Sequence, residues 1–284
     1  MDWAKERRCC LGRVALVPTM GALHVGHLSL IELARMQADE VVVSLFVNPT
    51  QFGEVSDLTS YPKTLEQDKA RCEALGVDVL FAPSADRVYA PDASVWIDEE
   101  QLSRGLCGGS RPGHFRGVCT IVLKLFNWVQ PDLAVFGEKD AQQLRIIERM
   151  VRDLNIAVEI VRGEIVRESD GLAMSSRNQR LSKVARADAV VIYEAIELAK
   201  KWVEQGERST EVLMQGVRDR LARVPSLIVD YVVVVDDVTL EPVEQLGSSA
   251  LLAIAVILES VFLIDFYVLL LGFFFVVFLF VCEA

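Results

Sequence analysis

Val14-Ala-Leu-Val-Pro-Thr-Met-Gly-Ala-Leu-His-Val-Gly-His27 is the stretch from which the rest of the chain is read. Residues 14–17 form a short apolar run of strand character, broken by Pro18 and relieved at Gly21. Leu30, Ile31, Ala34 and Ala38 then recur at helical spacing, which predicts a helix beginning near His24 with one buried face. A strand, a glycine turn and a helix N-terminus make an anion site, because the first-turn N–H groups lack intrahelical partners and the helix dipole is positive there. His24 and His27 lie three apart, hence on one helical face, and Gly26 between them leaves room for a ligand against the backbone. A single histidine is more often structural than catalytic. This chain has only three, two of them on this turn and the third, His114, in another glycine-rich segment, and that clustering favours chemistry. Imidazole N–H groups at a helix N-terminus suit the charge that builds on phosphate oxygens during transfer at phosphorus.

Outward from this stretch, strands and helices alternate. Strands are expected at 41–47, 77–83, 133–136 and 157–161, with helices at 64–75 and from about 140 to 151. Repeated β-α-β units imply an α/β fold, a Rossmann-like doubly wound parallel sheet with ligands at the carboxyl ends of its strands. The pattern changes near residues 163–167. A long helix capped by Ser182 and running to about 204, a second helix at 210–224, and strands at 227–235 and 250–258 describe a smaller C-terminal α+β domain. The expected domains are therefore 1–164 and 165–265, followed by an atypical apolar tail, 266–284.

Composition narrows the function. The net charge of −11, with no basic stripe to offset it, excludes a nucleic-acid surface, so an anionic ligand must be held in a local pocket. The six cysteines show no Cys-x-x-Cys spacing, and residues 1–8 are polar and charged rather than signal-like, which together indicate a cytoplasmic protein. Residues 266–282 carry no charge and approach membrane-spanning length. A C-terminal membrane anchor and a buried strand followed by an aberrant end are both open, and Asp265 would interrupt a longer span at a cost.

Four further clusters fall at strand ends or in loops. In Asn48-Pro-Thr-Gln51-Phe, Gln51 offers an amide that both donates and accepts. Gly108-Gly-Ser-Arg-Pro-Gly-His-Phe-Arg-Gly117 reads as a loop able to close over an anion. In Gly137-Glu-Lys-Asp-Ala-Gln-Gln143, Lys139 can reach phosphate oxygens and Gln143 points into the same cleft one turn later. Two hydroxyls and a guanidinium in Asp170-Gly-Leu-Ala-Met-Ser-Ser-Arg-Asn178 suit a triphosphate clamp.

His24-Val-Gly-His27 is similar to the HxGH signature of the nucleotidyltransferase superfamily. Together with the FVNPxQF, YPxT, SRPGHFRGV, VFGEKDxQQL and LAMSSRN patterns, over residues 11–265, the chain resembles the pantoate–β-alanine ligase family. The resemblance implies an ATP-dependent, Mg²⁺-requiring condensation of (R)-pantoate with β-alanine through a pantoyl adenylate, in a homodimeric enzyme. It puts ATP along Met20, Gly21, Ala22, Leu23, His24, Val25, Gly26 and His27, along Gly137, Glu138, Lys139 and Asp140, and at Val166, Met174, Ser175, Ser176 and Arg177. His27 would be the acid, aided by His24, Lys139 and the Ser175-Ser176-Arg177 loop. Pantoate would lie between Gln51 and Gln143, and β-alanine would enter at Gln51. Asp68 is a candidate for a water-mediated Mg²⁺ contact, against the plainer reading of a solvated helix face. The chain departs from the family pattern before Gly12, where it is shorter, and after Asp265. Another nucleotidyltransferase of the superfamily, or a membrane-attached relative without activity, are the alternatives.

Overall fold

A computed structural model describes residues 12–53, 58, 59 and 61–270. Five parallel strands, β1 (Val14–Thr19), β2 (Glu40–Leu45), β3 (Val79–Phe81), β4 (Leu133–Gly137) and β5 (Glu159–Gly163), form a sheet in the order β3-β2-β1-β4-β5. Helices α1 (Val25–Gln37), α2 (Leu65–Ala74), α3 (Ala85–Val88), α4 (Leu106–Ser110), α5 (His114–Val129) and α6 (Ala141–Asp153) connect and cover it. The apolar run 15–17 is fully buried because β1 is central. From β1 the chain winds outward through β2 and β3, then returns to β4 on the other side. β1 is thus the switch point, and the crevice beyond the ends of β1 and β4 is where a doubly wound sheet holds its ligand.

Pro18 does not end β1, which continues to Thr19. Pairing with β4 has already stopped at Leu16, so the ring displaces no ladder bond on that side. The larger difference is α5. The segment to Gly117, expected as a loop, is already helical from His114, and Gly113 at φ +79° makes the entry turn. Val118, Ile121, Val122, Leu125 and Val129 bury one face of α5 in the main core. Gly117 is glycine because a Cβ there would stand 2.6 Å from the Thr50 carbonyl oxygen, so α5 lies directly against the turn that carries Gln51.

The C-terminal part has an antiparallel sheet, β6 (Ile228–Asp236), β7 (Ser249–Leu258) and β8 (Val261–Leu270), with helices α7 (Lys183–Asp188), α8 (Val191–Glu204) and α9 (Thr210–Leu221). The single helix expected from 182 to 204 is two. Val190 and Ile192 donate to carbonyls three residues back, and this tighter turn breaks the ladder. β7 is buried on both faces. Leu251 and Ala253 join the core of the parallel sheet, while Ala250, Leu252, Ile254 and Val256 pack on α8 and α9. Strand alternation thereby fuses the two parts along one surface.

β8 passes through the expected boundary at 265 without a break, and Phe266 is a fully buried member of the main core. Residues 266–270 therefore belong to the sheet and not to a tail; residues 271–284 lie outside those described. Asp265, 1% exposed, accepts two hydrogen bonds from the Arg167 guanidinium, at 2.6 and 3.0 Å. No helix among the described residues is long and apolar enough to cross a membrane.

Candidate functional site

His24 is the residue preceding α1; its backbone carbonyl accepts from the His27 N–H at 2.8 Å, and the His27 side chain reaches back to it. The His24 backbone N–H donates to His27 Nδ1 at 3.2 Å, and the rings stand 4.0 Å apart. With Nδ1 accepting, a neutral His27 carries its proton on Nε2. Burial, reinforced by His24, holds the His27 pKa down to about 3; burial and Lys139 hold His24 down to about 4. Both rings are thus neutral in this state, each with one ring N–H to donate. His24 Nδ1 is buried and has no hydrogen-bond partner among the described residues.

Gly26, where room for a ligand against the backbone is expected, lies close to the His24 ring and the serine loop. A Cβ there would come within 3.1 Å of the His24 ring and 3.7 Å of Met174 Cβ, so Gly26 admits the histidine ring and the serine loop. The N–H groups of Ala22 and Leu23 are not free for phosphate. Both donate to the carboxylate of Asp68, each at 2.8 Å, and Thr64 Oγ1 donates to it at 2.8 Å. Asp68 is 1% exposed, so it is neither a solvated helix residue nor an open metal ligand. It fastens the turn in which Gly21 (φ +83°) and Ala22 (φ +51°) take left-handed conformations. Leu23 faces the core and Val25 is exposed.

Met20, His27, Gln51, Tyr61, Asp140 and Gln143 line one cavity of about 140 Å³ against the apolar face of α5. Gln51 follows β2 in a short 3-10 turn opened by Asn48, whose side chain accepts from Thr50. Asn48 Nδ2 donates to Gln51 Oε1 at 3.0 Å and to the Gly117 carbonyl at 3.1 Å. The acceptor end of the Gln51 amide is therefore occupied, and its NH₂ is the end presented toward Met20 and the cavity. His114 is structural. Its Nδ1 meets the Gln51 carbonyl at 2.8 Å and its Nε2 meets Arg111, and burial with Arg111 nearby lowers its pKa to about 4.

A second, smaller cavity of about 50 Å³ adjoins the first through Asp140, and Lys139, Ser175 and Arg177 line it with Arg111 and Asp265. Lys139 meets Asp140 at 3.4 Å. The cleft walls desolvate the Asp140 carboxyl and push its pKa up, but Lys139 and Arg177 pull harder, leaving it below the ordinary carboxylate range. Ser175 Oγ accepts from the Arg177 backbone N–H at 3.2 Å, and Tyr61 hydrogen-bonds Ser176. Val166 holds this loop by accepting from Met174 N–H at 2.9 Å. Glu138 departs from the expectation: it lines a separate cavity beside Arg145 and Arg167. Asn48 and Tyr61 were missed as site residues, although both stand inside the quoted motifs.

Residues 1–268 match the family model described as pantoate-beta-alanine ligase. The chain is 49% identical over 263 residues to the pantothenate synthetase of Thermotoga petrophila, covering 93% of this chain and 94% of that one. Its fold is similar to the crystal structure of pantothenate synthetase from Thermus thermophilus, with a TM-score of 0.88 and 42% identity over 93% of this chain and 96% of that one. The pantoate-beta-alanine ligase of Francisella tularensis, crystallised with beta-gamma ATP and beta-alanine, superimposes with a TM-score of 0.75 at 33% identity, covering 94% of each chain.

Proposed function

The chain belongs to the pantoate–β-alanine ligase family, and we propose that it joins (R)-pantoate to β-alanine in two steps at the cleft beyond β1 and β4. One observation carries the reading most directly. A donor-lined cavity holding His27, Gln51 and Gln143 shares Asp140 with a cationic cavity holding Lys139 and Arg177. The first suits a small polar acid, the second a polyphosphate.

In the first step the pantoate carboxylate attacks the α-phosphorus of ATP, forming a pantoyl adenylate and releasing pyrophosphate. The Gln51 NH₂ and Gln143 orient the acid. The Nε2–H of His27 donates to the phosphoryl oxygen on which charge builds, and Lys139 and Arg177 hold the departing pyrophosphate oxygens. In the second step the β-alanine amine attacks the acyl carbon, entering beside Gln51 and expelling AMP. No side chain needs to form a bond to substrate; positioning and fixed charge supply the catalysis. A bound polyphosphate also raises the basicity of His24 and His27, which moves them toward the acid role the family resemblance implies.

Mg²⁺ would be carried by the triphosphate oxygens and would offset their charge. No group of three or more metal-ligating side chains is found among the described residues, and the Asp68 carboxylate is already filled by backbone donors. We assign nucleotide and pantoate binding to residues 1–164 and closure of the site to the part beginning at 165. A homodimer follows from the same family reading, with exposed Ile228 and Val229 on edge strand β6 as the surface for a second copy; sedimentation velocity tests it. The buried free thiols of Cys72, Cys107 and Cys119 accord with a cytoplasmic setting.

Pyrophosphate release from ATP tests the whole. The expected result is release that requires pantoate, with AMP and pantothenate accumulating only on addition of β-alanine. Release driven by another acid but not by pantoate would assign a different acceptor.

A further inference from the structure

Ser44 is fully buried near the end of β2, and its hydroxyl has no hydrogen-bond partner among the described residues. Strand alternation says where it points. Val41, Val43 and Leu45 pack in the core under α1, whereas Val42 and Phe46 pack in the core built on α5. Ser44 shares the parity of Val42 and Phe46, and it lines the cavity that holds His27, Gln51 and Gln143. Its backbone is fixed, since the Ser44 carbonyl accepts from Thr19 Oγ1 at 2.8 Å. Neighbouring positions on the same face are apolar, so alanine or valine would fit the strand as well. An orphaned hydroxyl there costs stability unless something arrives to satisfy it.

We infer that the Ser44 hydroxyl hydrogen-bonds a hydroxyl of pantoate and helps the site demand a hydroxy acid. The inference rests on the pantoate reading of this cavity. Gln51 offers its NH₂, with its oxygen held by Asn48, and His27 offers an N–H. Those donors suit a carboxylate or phosphoryl oxygen. Ser44 both donates and accepts, which is what a substrate hydroxyl requires. A site built to bond a substrate hydroxyl also rejects the analogue that lacks it, because a buried polar group would then go unpaired.

The test is Ser44→Ala, assayed with pantoate and with its two deoxy analogues, 2-hydroxy- and 4-hydroxy-3,3-dimethylbutanoate. The expected result is a KM for pantoate raised roughly 2- to 10-fold, the yield of one net hydrogen bond. The KM for ATP stays unchanged, and Tm is unchanged or higher. For one analogue, wild type and variant should have the same kcat/KM, which identifies the hydroxyl that Ser44 bonds. An unchanged pantoate KM would overturn the inference. So would a lowered Tm with pantoate and both analogues impaired alike, since that marks a structural hydroxyl. Wild-type protein that does not turn over pantoate at all would instead sink the ligase reading, and this contact with it.

Discussion

Replacing Asp68 with asparagine separates two roles that the sequence alone leaves open. In the structure the carboxylate accepts from Ala22 N–H, Leu23 N–H and Thr64 Oγ1, each at 2.8 Å, and it is 1% exposed. Asparagine keeps one oxygen and sets an NH₂ against a backbone N–H. At least one hydrogen bond to a charged acceptor is lost, about 1.5–3 kcal/mol. For a chain of this size each kcal/mol moves Tm by about 2–4 °C, so thermal unfolding should begin roughly 3–12 °C lower. The turn that loosens carries Met20 and leads into His24 and His27. Misplacement there by about 1 Å is worth on the order of 100-fold in rate. ATP–pyrophosphate exchange should therefore fall steeply, while the Mg²⁺ concentration giving half-maximal rate stays at the wild-type value. A variant with wild-type Tm and a raised Mg²⁺ requirement would refute the positioning role and make Asp68 a metal contact.

Lys139→Ala should abolish pantoate-dependent pyrophosphate exchange while leaving Tm near wild type, because the side chain is one-fifth exposed and its ion pair with Asp140, itself half-exposed, is on the rim of the cleft. Near-normal exchange would remove it from the phosphate site. Gly117→Ala sets a Cβ 2.6 Å from the Thr50 carbonyl, so it should displace the Gln51 turn and raise the KM for pantoate more than that for ATP, measured by initial rates. The histidines predict a pH profile. Their folded pKa values, about 4, 3 and 4 for His24, His27 and His114, lie below the unfolded value of about 6.5. The unfolded chain therefore takes up their protons first. Their contribution to stability is complete above pH 6.5 and is lost as pH falls toward 4. Urea midpoints should drop between pH 6.5 and 5, less steeply in His114→Asn; a flat wild-type profile would contradict the assignment.

The parallel sheet was legible because its information is local. Residues 14–17 and 41–43 are unbroken apolar runs, which only strands covered on both faces require, and the helices between them show their period in one dimension. The motifs likewise placed Lys139, Ser175, Arg177, Gln51 and His27 at strand ends and loops. No helix is expected over 114–129 in the sequence reading, although Val118, Ile121, Val122, Leu125 and Val129 recur at helical spacing, because the glycines ahead of them read as loop. Gly117 owes its identity to Thr50, a residue far away in sequence, and no local pattern reports that. The same holds for Asp68 beneath the Ala22 turn, for Asn48 fixing which end of Gln51 faces the cavity, and for Asp265 paired with Arg167 inside an apolar run. Periodicity and turn chemistry act over a few residues and are written in order along the chain. Which buried polar atom meets which partner depends on where the folded sheet brings distant segments together, and only the tertiary structure decides it.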